Sequence, residues 1–313
     1  MEENYFIARY YIKQKYEGHP YYPLFVVAMF SFLEKYPEYH NLIIYLFLAT
    51  NIYIDNDRIQ NILDKNHITH ISFDEEEEFE TFAISCPQDV VLFQDGDLIY
   101  CTKDPVIVCS SLSCSKTQVL NIFLHEMNHL IKGTFHAFSF EENKDVTTYS
   151  LRIGLNTQYY YYDKAHGNLW KNAEFDLLDE VVNVMQTTEL TEHVFALENF
   201  IEDEDILDYL HSLDYSEACK DFGYEYGVIL LRPLWKDELF RQIIEDDIVL
   251  GNISRIVKRY DHIMGDSAFE KLSYALEIVD ECHGNTHGKQ YRYAKKYIKN
   301  AVKRFPKEKV KSL

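Results

Sequence analysis

The sequence predicts an α+β fold: a small mixed sheet, a helix carrying a metal-binding motif, helices ahead of them and a helical lobe behind. Three observations carry that expectation. His125-Glu126-Met127-Asn128-His129 follows a run of helical periodicity, short β-rich runs separated by turn residues lie between 89 and 109, and residues 192 to about 283 show successive apolar faces at helical spacing. With 313 residues, 47% hydrophobic and 15% aromatic, the chain can bury a large core, which excludes a disordered class.

The N-terminal element, residues 1–66, is expected to be helical. Its longest apolar stretches, Tyr22 to Leu33 and Asn41 to Ile54, are shorter than the roughly 18–20 residues that span a bilayer. They read as two buried helices with Tyr36-Pro37 between them, and no transmembrane segment is expected. The start, Met1-Glu2-Glu3-Asn4, is acidic and is not followed by a signal-peptide pattern. Cysteines at 86, 101, 109, 114, 219 and 282 contain no C-x-x-C pair, which predicts free thiols and a cytoplasmic protein. Asp74-Glu75-Glu76-Glu77-Glu78 reads as a solvated loop.

Residues 67–191 are expected to form the core that holds the metal. Asp89 to Phe93, Leu98 to Cys101 and Pro105 to Cys109 read as strands, with Gln94 to Asp97 as a turn, and Val106 to Cys109 is placed near a sheet edge open to an extended peptide. Ser115 and Gln118 form a capping-box pattern that starts a helix over Thr117 to Leu124 and through the motif. Residues four apart on a helix sit one turn above each other, so His125 and His129 can converge on one ion. Glu126 then points beside the metal, where it can take a proton from an activated water and pass it to a leaving amine. Between this helix and the next, Tyr149 to Leu155 and Thr157 to Tyr162 read as a hairpin, followed by a turn at Lys164 to Asn168.

Two histidines do not hold zinc, so a third ligand is needed. Gly133 and His136 lie one residue off the extended pattern H-E-x-x-H-x-x-G-x-x-H, whose positions here hold Lys132 and Phe135. Glu174 to Gln186 reads as a helix with Phe175, Leu178, Val181, Val182 and Met185 on its apolar face, and Glu180 falls inside that sector. A carboxylate there requires a partner, and a metal ion is a sufficient one.

With the H-E-x-x-H helix, the stretch Leu178-Asp179-Glu180-Val181-Val182-Asn183 resembles the gluzincin branch of the zinc metallopeptidases, over roughly residues 90–190. The resemblance implies a zincin-like catalytic core, Zn²⁺ held by His125, His129 and Glu180, Glu126 as general base, and a peptide or protein substrate. Glu174 is the reserve ligand and His136 the next. Where family members often carry an acidic residue that orients the first histidine, this chain has Val184, which passes that role to Asp176, Asp179, Asn183 or a backbone carbonyl. Tyr160, within the run Tyr159 to Tyr162, and also His193 and Tyr224, are candidate donors to the oxyanion.

Residues 192–288 are expected to form a helical lobe broken at Gly223, Gly227, Pro233, Gly251 and Gly265, with Arg232 a candidate anchor for a substrate carboxylate. The net charge is −20, but residues 288–313 carry ten Lys or Arg and one Glu, a local +9 that leaves −29 elsewhere. Tyr291, Ala294, Ile298, Val302 and Phe305 give residues 289–313 an apolar stripe, so this segment reads as a basic amphipathic helix packed on an acidic body; the alternative, binding to nucleic acid or an anionic membrane, is opposed by the body's negative charge, and nucleic acid is not an expected partner. The function expected is a zinc metallopeptidase. The alternatives are a non-catalytic protein that keeps the fold for binding or regulation, and a metal-dependent hydrolase acting on something other than a peptide. No feature of the sequence specifies an oligomeric state.

Overall fold

A buried aromatic cluster ties the metal-motif helix to the N-terminal helices: Phe123 lies 5.4 Å from Phe25 and 6.2 Å from Phe47, ring centre to ring centre. The computed structural model describes residues 1–55, 83–86, 90–94, 97–101, 106–110, 115–132, 134–140, 146–163, 168–199, 201–218, 224–249, 251–282 and 288–312, with the backbone alone for many of the strand residues. The chain is α+β, and it divides into two compact units: residues 1–131 with 186–220, and residues 132–185 with 221–313. Among the described residues no helix is long and apolar enough to cross a membrane. The acidic run 74–78 and the turn residues 95–96 and 164–167 lie outside them.

The first unit begins with α1 (Glu2–Tyr16), α2 (Tyr22–Lys35) and, after a 3₁₀ turn at Pro37–Tyr39, α3 (His40–Ala49). In α2 every residue from Leu24 to Leu33 is buried, so its continuous apolar run is an interior helix. The stretch 41–54, expected to be one helix, is two elements: α3 stops at Ala49, and Asn51–Asp55 is strand β1. The break has a physical reason, because Ile52, Tyr53 and Ile54 favour extended backbone and find a partner for it. β1 pairs parallel with β5 (Val106–Ser110), and β2 (Ala83–Cys86) pairs antiparallel with the other side of β5. This is a small mixed sheet of order β1-β5-β2, and Val106–Ser110 is its centre, not an edge. β3 (Val90–Gln94) and β4 (Asp97–Cys101) form the expected hairpin. α4 (Lys116–Ile131) follows and carries the motif. α6 (Glu204–His211) and the short α7 (Tyr215–Ala218) complete the unit, together with the end of α5 (Asp176–Ala196).

The second unit contains a four-stranded antiparallel meander, β6 (Thr134–Phe140), β7 (Val146–Ile153), β8 (Asn156–Asp163) and β9 (Asn168–Glu174), where the sequence suggested only a hairpin. β9 leads into α5 through Phe175 at φ 61°, a left-handed conformation costly for a bulky side chain. The helix therefore starts at Asp176, and Glu174 belongs to the strand. The helical lobe comprises α8 (Glu225–Trp235), α9 (Glu238–Ile248), α10 (Ile253–Met264), α11 (Ala268–Glu281) and α12 (Lys289–Ser312). Tyr260 and Phe305 stack at 5.7 Å in its core, with Phe240 and Phe269 edge-on to Tyr260. Gly227 and Pro233, expected to break helices, lie inside α8. The glycine is needed for closeness, since a Cβ at Gly227 would stand 2.6 Å from Val181 Cγ2.

Candidate metal centre

α4 starts where its sequence dictates. Ser115 Oγ accepts the Gln118 N–H at 3.1 Å and Gln118 Oε1 accepts the Ser115 N–H at 2.9 Å, a reciprocal capping box that satisfies two orphan donors. Two turns on, His125 and His129 present their Nε2 atoms 3.2 Å from each other, with the rings nearly perpendicular. His125 is buried. Ligand atoms of His125, His129 and the Glu180 carboxylate all lie within 4.8 Å of one another, and this His-His-Glu group can hold a metal ion.

The spacing of the two histidines fits a tetrahedral metal. With metal–nitrogen bonds of about 2.05 Å, two nitrogens on a tetrahedron stand about 3.3 Å apart, and the histidine pair is already at that separation. Glu126 is half-exposed and forms no ion pair or side-chain hydrogen bond among the described residues, so its carboxylate is free to meet water.

No protein-family model, curated protein or solved structure matches the chain. The case for the centre therefore rests on its own geometry.

A polar scaffold that the sequence reading missed anchors the motif helix. Asn128, between the two histidines and fully buried, accepts a hydrogen bond from Tyr36 Oη at 3.1 Å and donates one to Gln186 Oε1 at 3.0 Å. Two turns earlier, Thr191 Oγ1 donates to Asn121 Oδ1 at 3.1 Å, and Ser31 Oγ donates to the Leu190 carbonyl. Part of the signal was present in the sequence: Asn121 and Asn128 are seven apart and share a helix face, whereas their partners Gln186 and Thr191 are five apart on α5 and do not. Beyond α4, Lys132 Nζ lies 3.3 Å from Asp179 Oδ1, which also accepts the Leu155 N–H at 2.9 Å.

Other candidate residues fall elsewhere. Asp179 is engaged with Lys132 and the Leu155 N–H, and Asp176 accepts a hydrogen bond from Asn156 Nδ2. Glu174 is exposed on β9 and accepts from Tyr159 Oη at 3.2 Å. His136 lies on β6 opposite Leu151, and Tyr160 on β8 opposite Tyr149 and Lys171; both side chains lie outside the described set. His193 is on α5, thirteen residues beyond Glu180 and so roughly 20 Å along the helix axis, which separates it from the group. Burial, with Lys35 nearby, holds its pKa below the usual histidine value. Tyr224 is exposed at φ 47°, just ahead of α8 and three residues before Gly227, which touches Val181 beside Glu180. Arg232 is half-buried on α8.

Proposed function

We propose that the protein is a zinc-dependent metallopeptidase of the gluzincin type, with a zincin-like core built from the mixed sheet β1-β5-β2, α4 and α5. The observation that carries this reading is the His125–His129 spacing of 3.2 Å with the Glu180 carboxylate in the same group. Three protein donors of this kind leave a fourth position open, which is the pattern of catalytic zinc sites; structural sites close all four. His125, His129 and Glu180 would hold the ion. Zinc at such a site acidifies water to a pKa of about 7 and polarises the scissile carbonyl.

The chain's own residues do the rest. Glu126, adjacent to His125, takes the proton of the attacking water and delivers it to the leaving amine, a role that its half-exposed, unengaged carboxylate supports. Asn128, fixed by Tyr36 and Gln186, holds the turn of α4 between the two histidines in register. Of the three candidate oxyanion donors we favour Tyr224, which lies three residues before Gly227, whose helix packs against Val181, the neighbour of Glu180 in sequence.

Glu126→Gln tests the reading. Incubated with a peptide library and followed by mass spectrometry, wild-type protein loaded with zinc is expected to cleave, and the variant to keep its zinc and lose about 10²–10⁴ in rate. Full binding of zinc with no cleavage by wild type would leave the non-catalytic binding reading or a non-peptide substrate.

A further inference from the structure

The C-terminal helix α12 carries a charge pattern that the metal centre does not use. Its inner face, Tyr291, Ala294, Ile298, Ala301 and Phe305, is buried, and the helix packs against α8, α10 and α11. The outer face presents Lys289, Arg292, Lys296, Lys299, Lys303 and Lys307, all exposed. They are spaced three or four residues apart, so they lie on one line along the helix. The single carboxylate in the helix sequence, Glu308, is off that line. None of the six cations forms an ion pair among the described residues. Like charges at these spacings destabilise a helix, and no described carboxylate pairs with them in a protein of net charge −20.

We propose that this face docks on the surface of an anionic lipid bilayer. The six cations form a ridge roughly 27 Å long, so a flat anionic surface lying along it can meet them together. Tyr293, 73% exposed beside the line, is an amphipathic aromatic suited to the headgroup level. Because the apolar face is already buried in the protein, the helix cannot insert, and the adsorption is electrostatic and reversed by salt. With a screening length of about 8 Å at physiological ionic strength, carboxylates further than that from the ridge are largely screened, while Asp261 on α10 lies near enough to act on Tyr297 of α12. A nucleic-acid duplex is a poorer match, since its phosphates lie on curved strands that a single line of cations meets at fewer points. This inference is independent of the metal centre.

The test is sedimentation of the full-length chain with vesicles of phosphatidylcholine alone or with about one-third phosphatidylserine, at low and high salt. Binding to the anionic vesicles only, at least tenfold weaker at high salt and at least tenfold weaker for Lys296→Glu/Lys303→Glu, is the expected result. A control variant, Lys116→Glu/Lys236→Glu, reverses two exposed lysines elsewhere and should bind like wild type; circular dichroism verifies that both variants are folded. Failure to bind anionic vesicles at low salt, equal loss in the control variant, or capture of a single- or double-stranded oligonucleotide without vesicle binding would each overturn the proposal.

Discussion

Lys132 Nζ stands 3.3 Å from Asp179 Oδ1 with both side chains closed to solvent, three residues after His129 and one before Glu180. A buried ion pair contributes little net stability when intact, but removing one partner strands a charge in a low-dielectric interior. Lys132→Met and Asp179→Asn are each expected to cost about 3–5 kcal/mol. The double variant should cost clearly less than the two singles added together. Urea unfolding of the four proteins measures this, and additive costs would show that the two charges do not see each other.

Gly154 closes over that pair. At φ +59° it occupies the left-handed region, and a Cβ would stand 2.6 Å from Asp179 Oδ1 and 2.8 Å from Lys132 Cδ. Gly154→Ala therefore adds backbone strain to a clash, and a loss of about 2 kcal/mol or more is expected. At Gly227 the problem is the approach to Val181 alone. Gly227→Ala should destabilise by about 1–3 kcal/mol, and adding Val181→Ala should recover part of that loss. A Gly227→Ala protein as stable as wild type would mean that the two helices stand further apart.

Asn128→Leu removes two buried hydrogen bonds and leaves Tyr36 Oη and Gln186 Oε1 without that partner, at a cost of about 1–3 kcal/mol for each group. The same substitution should weaken zinc binding, since it loosens the helix turn between the two candidate ligands. Calorimetric titration of folded variant with zinc reads the second effect separately from the first. Reduced stability with unchanged zinc affinity would make Asn128 a packing residue only.

Alkaline pH should unfold the protein. Burial, followed by the charge of Asp203, pushes Tyr5 up to about 12, and burial raises Tyr16, Tyr209 and Tyr260 as well. A group whose folded pKa exceeds its unfolded value contributes stability that is complete below the unfolded pKa, about 10 for tyrosine, and lost as pH rises through the folded value. Stability should be flat just below pH 10 and fall steadily above it, with tyrosinate absorbance of the buried residues appearing together with loss of helical circular dichroism. Early ionisation of all 25 tyrosines in a still-folded protein would contradict the burial.

What the sequence disclosed and what it hid divide along sequence distance. The Ser115–Gln118 cap and the convergence of His125 and His129 are set within one or two helical turns, and both were legible. Glu180 stood out in the sequence as a carboxylate in an apolar helical sector, and it falls in one group with the two histidines. The end of α3 at Ala49 was hidden, since Asn51–Asp55 becomes a strand only by pairing with Val106–Ser110, more than fifty residues on. That same pairing, with β2 on the other side, moved Val106–Ser110 from the expected edge to the centre. Lys132 with Asp179 and Asn128 with Gln186 depend on which helix meets which, information that no local pattern holds. Phe175 showed nothing in advance, because a bulky residue at positive φ runs against its own propensity.

The central claim is that His125, His129 and Glu180 are the ligands of one zinc ion, and metal content measures it most directly. Purified wild type, His129→Ala and Glu180→Ala, reconstituted with zinc and analysed by plasma mass spectrometry, should give one zinc per wild-type chain and little in either folded variant. Wild-type protein without zinc after reconstitution, or Glu180→Ala with a full equivalent, would contradict the three-ligand centre.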